Sequence, residues 1–251
     1  MSSDLPSPLN RVARGGLTTL RWFFDKFGYR LQRVETLNVF EPLLHRRLAK
    51  APNFFFVQIG ANDGVFCDPI WEFVTRNQLA GLVVEPLKDV FEQLAANYRP
   101  YPKVKAVNTA IHASLKSAEM YRVDPSRLPQ LEVWARGIGS FKRQHHVDAG
   151  VPTEAMRTET VTCVTLEELL QQHGVEAIDL LQIDTEGYDF EIIRMIDFRS
   201  RRPAIIHFEH GMPNGIMTPG EFKQCASLLM DNGYLVSTEY FDAVAYRPEM
   251  I

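Results

Sequence analysis

The 251-residue sequence is poor in cysteine: Cys67, Cys163 and Cys225 form an odd, widely spaced set without a CxxC pair. That argues against a disulfide framework and makes a reducing compartment, the cytoplasm, the expected setting. Long hydrophobic runs are missing too. Stretches such as Phe54-Phe55-Phe56-Val57 fall far short of the about 20 residues needed to span a bilayer. The N-terminus lacks the basic, apolar and small-residue order of a secretion signal. Neither GxGxxG nor GxxxxGK[ST] occurs, so the dinucleotide fingerprint and the phosphate-cradling loop are both absent. Nor is there a run of five like charges.

What is present is the composition of an ordinary soluble domain, 45% hydrophobic and 23% charged, with a formal net charge of −4. The charge is unevenly spread. Residues 1–50 carry nine Lys/Arg against four Asp/Glu, while the remainder carries 18 against 27. A basic arm on an acidic body suits either a solvated helical surface or contact with an anionic partner or membrane surface. The acidic body argues against nucleic acid, whose binding needs clustered Lys/Arg.

Two regions are expected: residues 1–50 as a basic tail with a helical extension, and 51–251 as the main domain. In the first, Leu37, Phe40, Leu43, Leu44 and Leu48 recur at helical spacing between a possible cap at Thr36 and a stop at Pro52. Beyond Pro52, short apolar runs alternate with amphipathic stretches. Strands are predicted at Phe54–Ile59, Gly81–Glu85, Val104–Ile111, Ala118–Val123, Thr160–Val164, Ile178–Asp184 and Ala204–Glu209. Helices fall between them, and a closing hairpin surrounds Asp242. Alternation of this kind defines an α/β, doubly wound, Rossmann-like sheet, mostly parallel, with a C-terminal antiparallel hairpin that is expected to make one edge strand antiparallel. Residues 124–158 break the rhythm, as functional segments often do.

Ligands of doubly wound sheets sit beyond the carboxyl ends of the strands, and four loops there carry chemistry. Gly60-Ala61-Asn62-Asp63-Gly64 is built of small residues, which permit a tight turn and close backbone approach. Glu85, followed by Pro86, ends the second strand and can accept hydrogen bonds from a ribose. Asp184, Glu186 and Asp189 crowd three acids into six residues, a costly arrangement that suggests hydrogen-bonding duty, a cation or acid/base work. The helix macrodipole accounts for Asp189 better than for Asp184. Glu209 and His210 end a further strand on the same edge.

These residues resemble the FkbM family of S-adenosylmethionine-dependent methyltransferases. The resemblance spans roughly residues 54–246 and rests on the runs Val57–Gly64, Val83–Pro86, Asn108–Ile111 and above all Ile178–Asp189. Arg136–Phe141 and His145 also look like family sequence. It implies a class I methyltransferase fold, with seven mostly parallel strands and one antiparallel, and O-methylation of a sugar or other hydroxylated metabolite. By the same analogy Gly60 to Gly64 wrap the methionine part of the cofactor, Glu85 holds its ribose, and Asn108 and Ala110 lie near the adenine. Pro86, Asp184 and Glu186 complete the expected cofactor site.

For the acceptor proton two routes are open. His210 or His145 takes it directly, or Asp184, Glu209 and His210 bind a divalent cation that acidifies the hydroxyl. Trp134, Arg136 and His145 are candidates for an acceptor pocket. Two competing functions stand beside this one: a nicotinamide-dependent oxidoreductase on a related sheet, and a non-catalytic interaction module that uses the fold as a scaffold.

Overall fold

A computed structural model describes residues 39–132, 135 and 137–251. The basic tail, Thr36, Leu37, Trp134 and Arg136 lie outside the described residues. Of the predicted N-terminal helix, Phe40–Lys50 (α1) is described, with Phe40, Leu43 and Leu44 buried.

The chain then lays down β1 (Phe55–Ile59), α2 (Trp71–Asn77), β2 (Ala80–Val84), α3 (Lys88–Tyr98) and β3 (Val104–Val107). After an excursion come α5 (Leu166–Gln172), β8 (Leu180–Ile183), α6 (Asp189–Arg194), β9 (Ile205–Glu209), α7 (Pro219–Asp231), β10 (Leu235–Thr238) and β11 (Asp242–Tyr246). The seven-stranded sheet has the order β10-β11-β9-β8-β1-β2-β3. Reciprocal capping boxes start two of its helices, Thr165 with Glu168 at α5 and Thr218 with Glu221 at α7. Each such cap is worth about 1 kcal/mol.

Alternate residues of each strand face opposite layers. Val57, Ile59, Leu181, Ile183, Ile206 and Phe208 pack against α5, α6 and α7. Phe56, Val83, Leu180, Ile205 and Val244 pack against α1, α2 and α3. Burial on both faces explains why these strands read as short apolar runs rather than alternating ones.

Two expectations need correction. The antiparallel strand is β11, which lies second from the edge between β9 and β10, so the outermost strand β10 runs with the parallel set. The cause is the gap left beside β9 when the chain crosses over through α7; the hairpin folds back into it, and Phe241 O accepts from both His210 N and Gly211 N. The predicted strand Val104–Ile111 is two strands. At Asn108 the backbone leaves the main sheet, and β4 (Ala110–Ile111) pairs in parallel with β7 (Met156–Val164). Asn108 Nδ2 fixes this bend by donating to the carbonyls of Glu85 and Pro86 at 2.9 and 3.0 Å.

The second sheet, in the order β4-β7-β5-β6, includes β5 (Ser117–Val123) and β6 (Gly139–Ser140). The aperiodic segment 124–158 supplies β6, the short helix α4 (Arg143–Asp148) and the first residues of β7. Its elements are too brief to show a period.

Candidate active site

The order of the main sheet reverses between β1 and β8, because the chain builds outward from β1 in one direction and from β8 in the other. The carboxyl ends of these two strands therefore diverge and leave a crevice. Gly60 makes it possible. Its φ is +78°, and a Cβ there would lie 1.7 Å from the Asp184 carbonyl oxygen, well inside van der Waals contact. Three non-glycine residues that line the crevice, Asn62, Cys67 and Glu186, also have left-handed φ of 48°, 54° and 53°, and local backbone strain of this sort collects at ligand sites.

The crevice encloses about 230 Å³. Gly60, Ala61, Asn62, Glu85, Pro86, Ala110, Asp184 and Glu186 of the expected cofactor site line it. Asp63, Gly64 and Asn108 do not. Asp63 Oδ1 caps the next turn by accepting from Val65 N and Phe66 N. Gly64 is packed under Leu94 and Tyr98, and Asn108 holds the bend described above.

Glu85 is buried at the end of β2, with its two oxygens divided between neighbours. Oε2 accepts from Asn62 N at 3.1 Å and Oε1 from Leu87 N at 2.9 Å. Each oxygen keeps a second acceptor direction for a ligand. Burial pushes its pKa up to about 7, against the pull of those two donors and of the Arg122 guanidinium.

Asp184 opens to the crevice, with protein packed behind it. Desolvation, then the carboxylates of Glu186, Asp189 and Asp242, hold its pKa well above the usual carboxylate range. Glu209 is pushed up to about 10 by burial and by Asp184, Glu186 and Asp189, and its Oε2 has no partner among the described residues. Asp189 is a brace rather than a ligand group. It is fully buried and accepts from Thr185 N, Thr185 Oγ1 and Glu209 N, tying the exit of β8 to the end of β9. Burial raises it to about 6.

The two histidines of the expected site do not face the crevice. His145, on α4, lies 2.5 Å through Nε2 from Glu186 Oε2. With the bond from Ser140 Oγ to Glu186 O at 2.7 Å, it pins the loop after β8 to the inserted segment. His210 is buried with both ring nitrogens engaged: Nδ1 accepts from Met212 N, and Nε2 faces Glu239 O at 3.2 Å. Ligation of a cation by Asp184, Glu209 and His210 would require breaking that arrangement. Among the described residues no group of three His, Cys, Asp or Glu side chains is placed to hold a metal ion. With His210 held in this way, the donor set does not fit the cation.

The sequence reading missed a row of polar residues one layer below the edge. Gln58, Gln182 and His207 sit on adjacent strands in register, on one face and almost fully buried. Gln58 Nε2 donates to Asp68 Oδ2 at 2.8 Å, and His207 Nδ1 meets Gln182 Oε1 at 2.8 Å. Gln58 and Gln182 line the crevice. The signal was available: each interrupts an apolar strand two residues before Gly60, Asp184 or Glu209. Also missed were Phe141 and Tyr188, whose rings meet edge-on at 5.2 Å on the crevice wall.

A parallel sheet with one antiparallel strand next to its edge, and an acid-rimmed crevice at the β1–β8 reversal, define a class I methyltransferase fold. Sequence comparison matches residues 58–236 to the methyltransferase FkbM domain. The chain belongs to that family of S-adenosylmethionine-dependent methyltransferases. Comparison with curated proteins gave no match.

Among solved structures, the chain is similar to the precorrin-6y C5,15-methyltransferase of Geobacter metallireducens (13% identity, TM-score 0.39, covering 85% of this chain and 91% of that one). It is also similar to an FkbM methyltransferase of Methylobacillus flagellatus (11%, 0.44, 77% and 43%). A third likeness is to Aeropyrum pernix fibrillarin, solved with natively bound S-adenosyl-L-methionine (12%, 0.40, 77% and 66%). The chain thus spans less than half of the Methylobacillus protein and about two thirds of the fibrillarin.

Proposed function

We propose that the protein methylates a hydroxyl oxygen of a sugar, glycan or other hydroxylated metabolite, with S-adenosylmethionine as donor. The observation that carries the reading is the convergence of the Gly60 turn, the buried Glu85 carboxylate and the Asp184 carboxyl on one crevice. The charge of that crevice fits this donor better than a dinucleotide. Its described lining carries Asp68, Glu85, Asp184 and Glu186 and no Lys or Arg, so a pyrophosphate meets no cation there, while a sulfonium and an ammonium favour ionisation of the carboxyl groups they face. That weighs against the oxidoreductase alternative.

When bound, the donor supplies an activated methyl group on a cationic sulfur. The chain's own residues do the rest. The backbone of Gly60 to Asn62 offers a surface without side-chain obstruction, Glu85 accepts the ribose hydroxyls, and Ala110 and Ile111 form an apolar wall for the base. Asp184 gives up its proton more readily once a cation stands before it. Phe141 and Tyr188 exclude water from the far wall. Alignment of an acceptor oxygen with a methyl carbon contributes about 7–11 kcal/mol, whereas a general base gives about 10²–10⁴-fold. With His145 and His210 engaged elsewhere, and Glu186 itself held by His145, the acceptor proton falls to the crevice carboxyl of Asp184.

The test is incubation of the purified protein with trideuteromethyl-labelled donor and a metabolite extract, followed by mass spectrometry and NMR of labelled products. A label in methyl ethers supports the reading; a label found only on nitrogen or carbon overturns it.

A further inference from the structure

A second cavity of about 390 Å³ adjoins the crevice, and Asp68 and Pro69 line both. Its wall combines two aromatic rings, a buried imidazole and an excess of carboxylates. Phe40 stacks on His207 with ring centroids 3.9 Å apart and planes at 16°. Phe73 is half-buried nearby, edge-on to His45 at 5.3 Å.

His207 is 3% exposed, yet it lines this cavity. Gln182 Oε1 can only accept, so the proton of the imidazole sits on Nδ1 and Nε2 presents a lone pair. Nε2 has no partner among the described residues. Burial drives the ring down to about 3, so it stays neutral in water near pH 7 and is a poor general base. What it can do is accept a hydrogen bond from a ligand O–H or N–H. A buried strand position given to such a group is costly unless a partner arrives. Asp68, Glu72 and Asp242 also line the cavity. Asp242 is held up at about 6 by burial and by Glu239 and Asp189. Glu41 and Glu239 line the cavity too, so carboxylates outnumber the one guanidinium of its described lining, Arg76, which pairs with Glu72 at 3.7 Å.

We infer that this second cavity is the acceptor subsite, taking an uncharged polyhydroxylated ring of hexose size, with Phe73 as its apolar platform, the His207 Nε2 lone pair as its hydroxyl acceptor, and the carboxylates excluding anionic acceptors. The inference rests on the methyl-transfer reading and narrows its substrate class. Aromatic rings give apolar contact to one face of such a ring, carboxylates accept from its hydroxyls, and an added carboxylate or phosphate on the acceptor meets like charge.

The experiment uses the full chain, saturation-transfer NMR, and the methyl glycosides of glucose, galactose and mannose beside the corresponding methyl uronates. Calorimetry with S-adenosylmethionine is run on every sample. At least one neutral glycoside receives saturation, and its uronate binds about tenfold or more weakly. Phe73→Ala lowers glycoside affinity about tenfold and leaves donor affinity unchanged. Glu72→Gln combined with Asp242→Asn, both conservative in shape, raises uronate affinity toward that of the neutral ring. Absence of transfer to every neutral glycoside, equal binding of uronates, or indifference to Phe73→Ala in a donor-binding sample overturns the subsite alone. Failure of the wild-type chain to bind the donor overturns the methyl-transfer reading instead.

Discussion

Glu85 is the residue on which most depends. Its carboxylate already serves two backbone donors, and further charge-assisted bonds to ribose hydroxyls are worth about 1.5–3 kcal/mol each. Glu85→Gln is therefore expected to weaken donor binding by about 10- to 100-fold in calorimetry, with some loss of melting temperature because its Nε2 meets one of the two backbone N–H groups that the carboxylate now serves. The pH dependence has a definite sign. Only the ionised carboxylate accepts from both hydroxyls, and burial sets its pKa at about 7 in the free protein. Donor affinity should fall as pH drops from 7.5 to 5.5, approaching tenfold per unit at the acid end, and the Gln variant should give a flat profile. His210 offers a second check at this scale. Because both of its ring nitrogens are occupied by the fold, turnover should survive exhaustive chelation of divalent ions; loss that is restored by magnesium would contradict that placement.

Two element junctions set the geometry of the crevice. At the exit of β1, Gly60 passes against the carbonyl of Asp184 at the exit of β8. Gly60→Ala must move one strand end or the other, since the new methyl would lie 1.7 Å from that oxygen at a φ that L-residues avoid. The expected result is a loss of roughly 2–3 kcal/mol in denaturant unfolding together with loss of donor binding, a backbone effect of the kind that exceeds ordinary surface substitutions.

At the end of β9, Glu209 carries a pKa raised to about 10. A carboxyl whose folded pKa exceeds its unfolded value contributes stability below the unfolded pKa and loses it as pH climbs toward the folded one. The free protein should therefore melt progressively lower from pH 5 to pH 9. Glu209→Gln should flatten that decline, raising the melting temperature at pH 9 by roughly 2–4 °C for each kcal/mol recovered. A slope identical in wild type and variant would show that Glu209 is not the titrating group.

How much of this was legible in the sequence differs by element. The apolar strands and the loops after them could be read because burial on both faces leaves a clear run, and because Gly60, Glu85 and Asp184 each follow such a run directly. The bend at Asn108 could not, since nothing local distinguishes a strand from one that changes sheets; the side chain's bonds to the Glu85 and Pro86 carbonyls decide it. The position of β11 was equally hidden. A hairpin is a local signal, but which edge it enters is set by the gap beside β9.

Taken as a whole, the molecule divides its labour between its two sheets. The seven-stranded sheet provides the crevice floor, with the polar row of Gln58, Gln182 and His207 beneath it. The smaller sheet and α4 provide Met120, Gly139 and Phe141 as its far wall and hold the Asp184–Tyr188 loop through Ser140 and His145. His145 was legible as a residue of interest, but its work is to anchor Glu186, which only the fold reveals. Among the described residues no helix is long and apolar enough to cross a membrane, and the acidic character of the body is continued in the crevice itself.

Calorimetric titration of the wild-type chain and Glu85→Gln with S-adenosylmethionine, and in parallel with NAD, tests the central assignment most directly. One-to-one binding of S-adenosylmethionine that is weakened at least tenfold by the substitution, with no heat from NAD, is the expected result. Binding of NAD in its place, or binding of S-adenosylmethionine that ignores the loss of the Glu85 carboxylate, would contradict it.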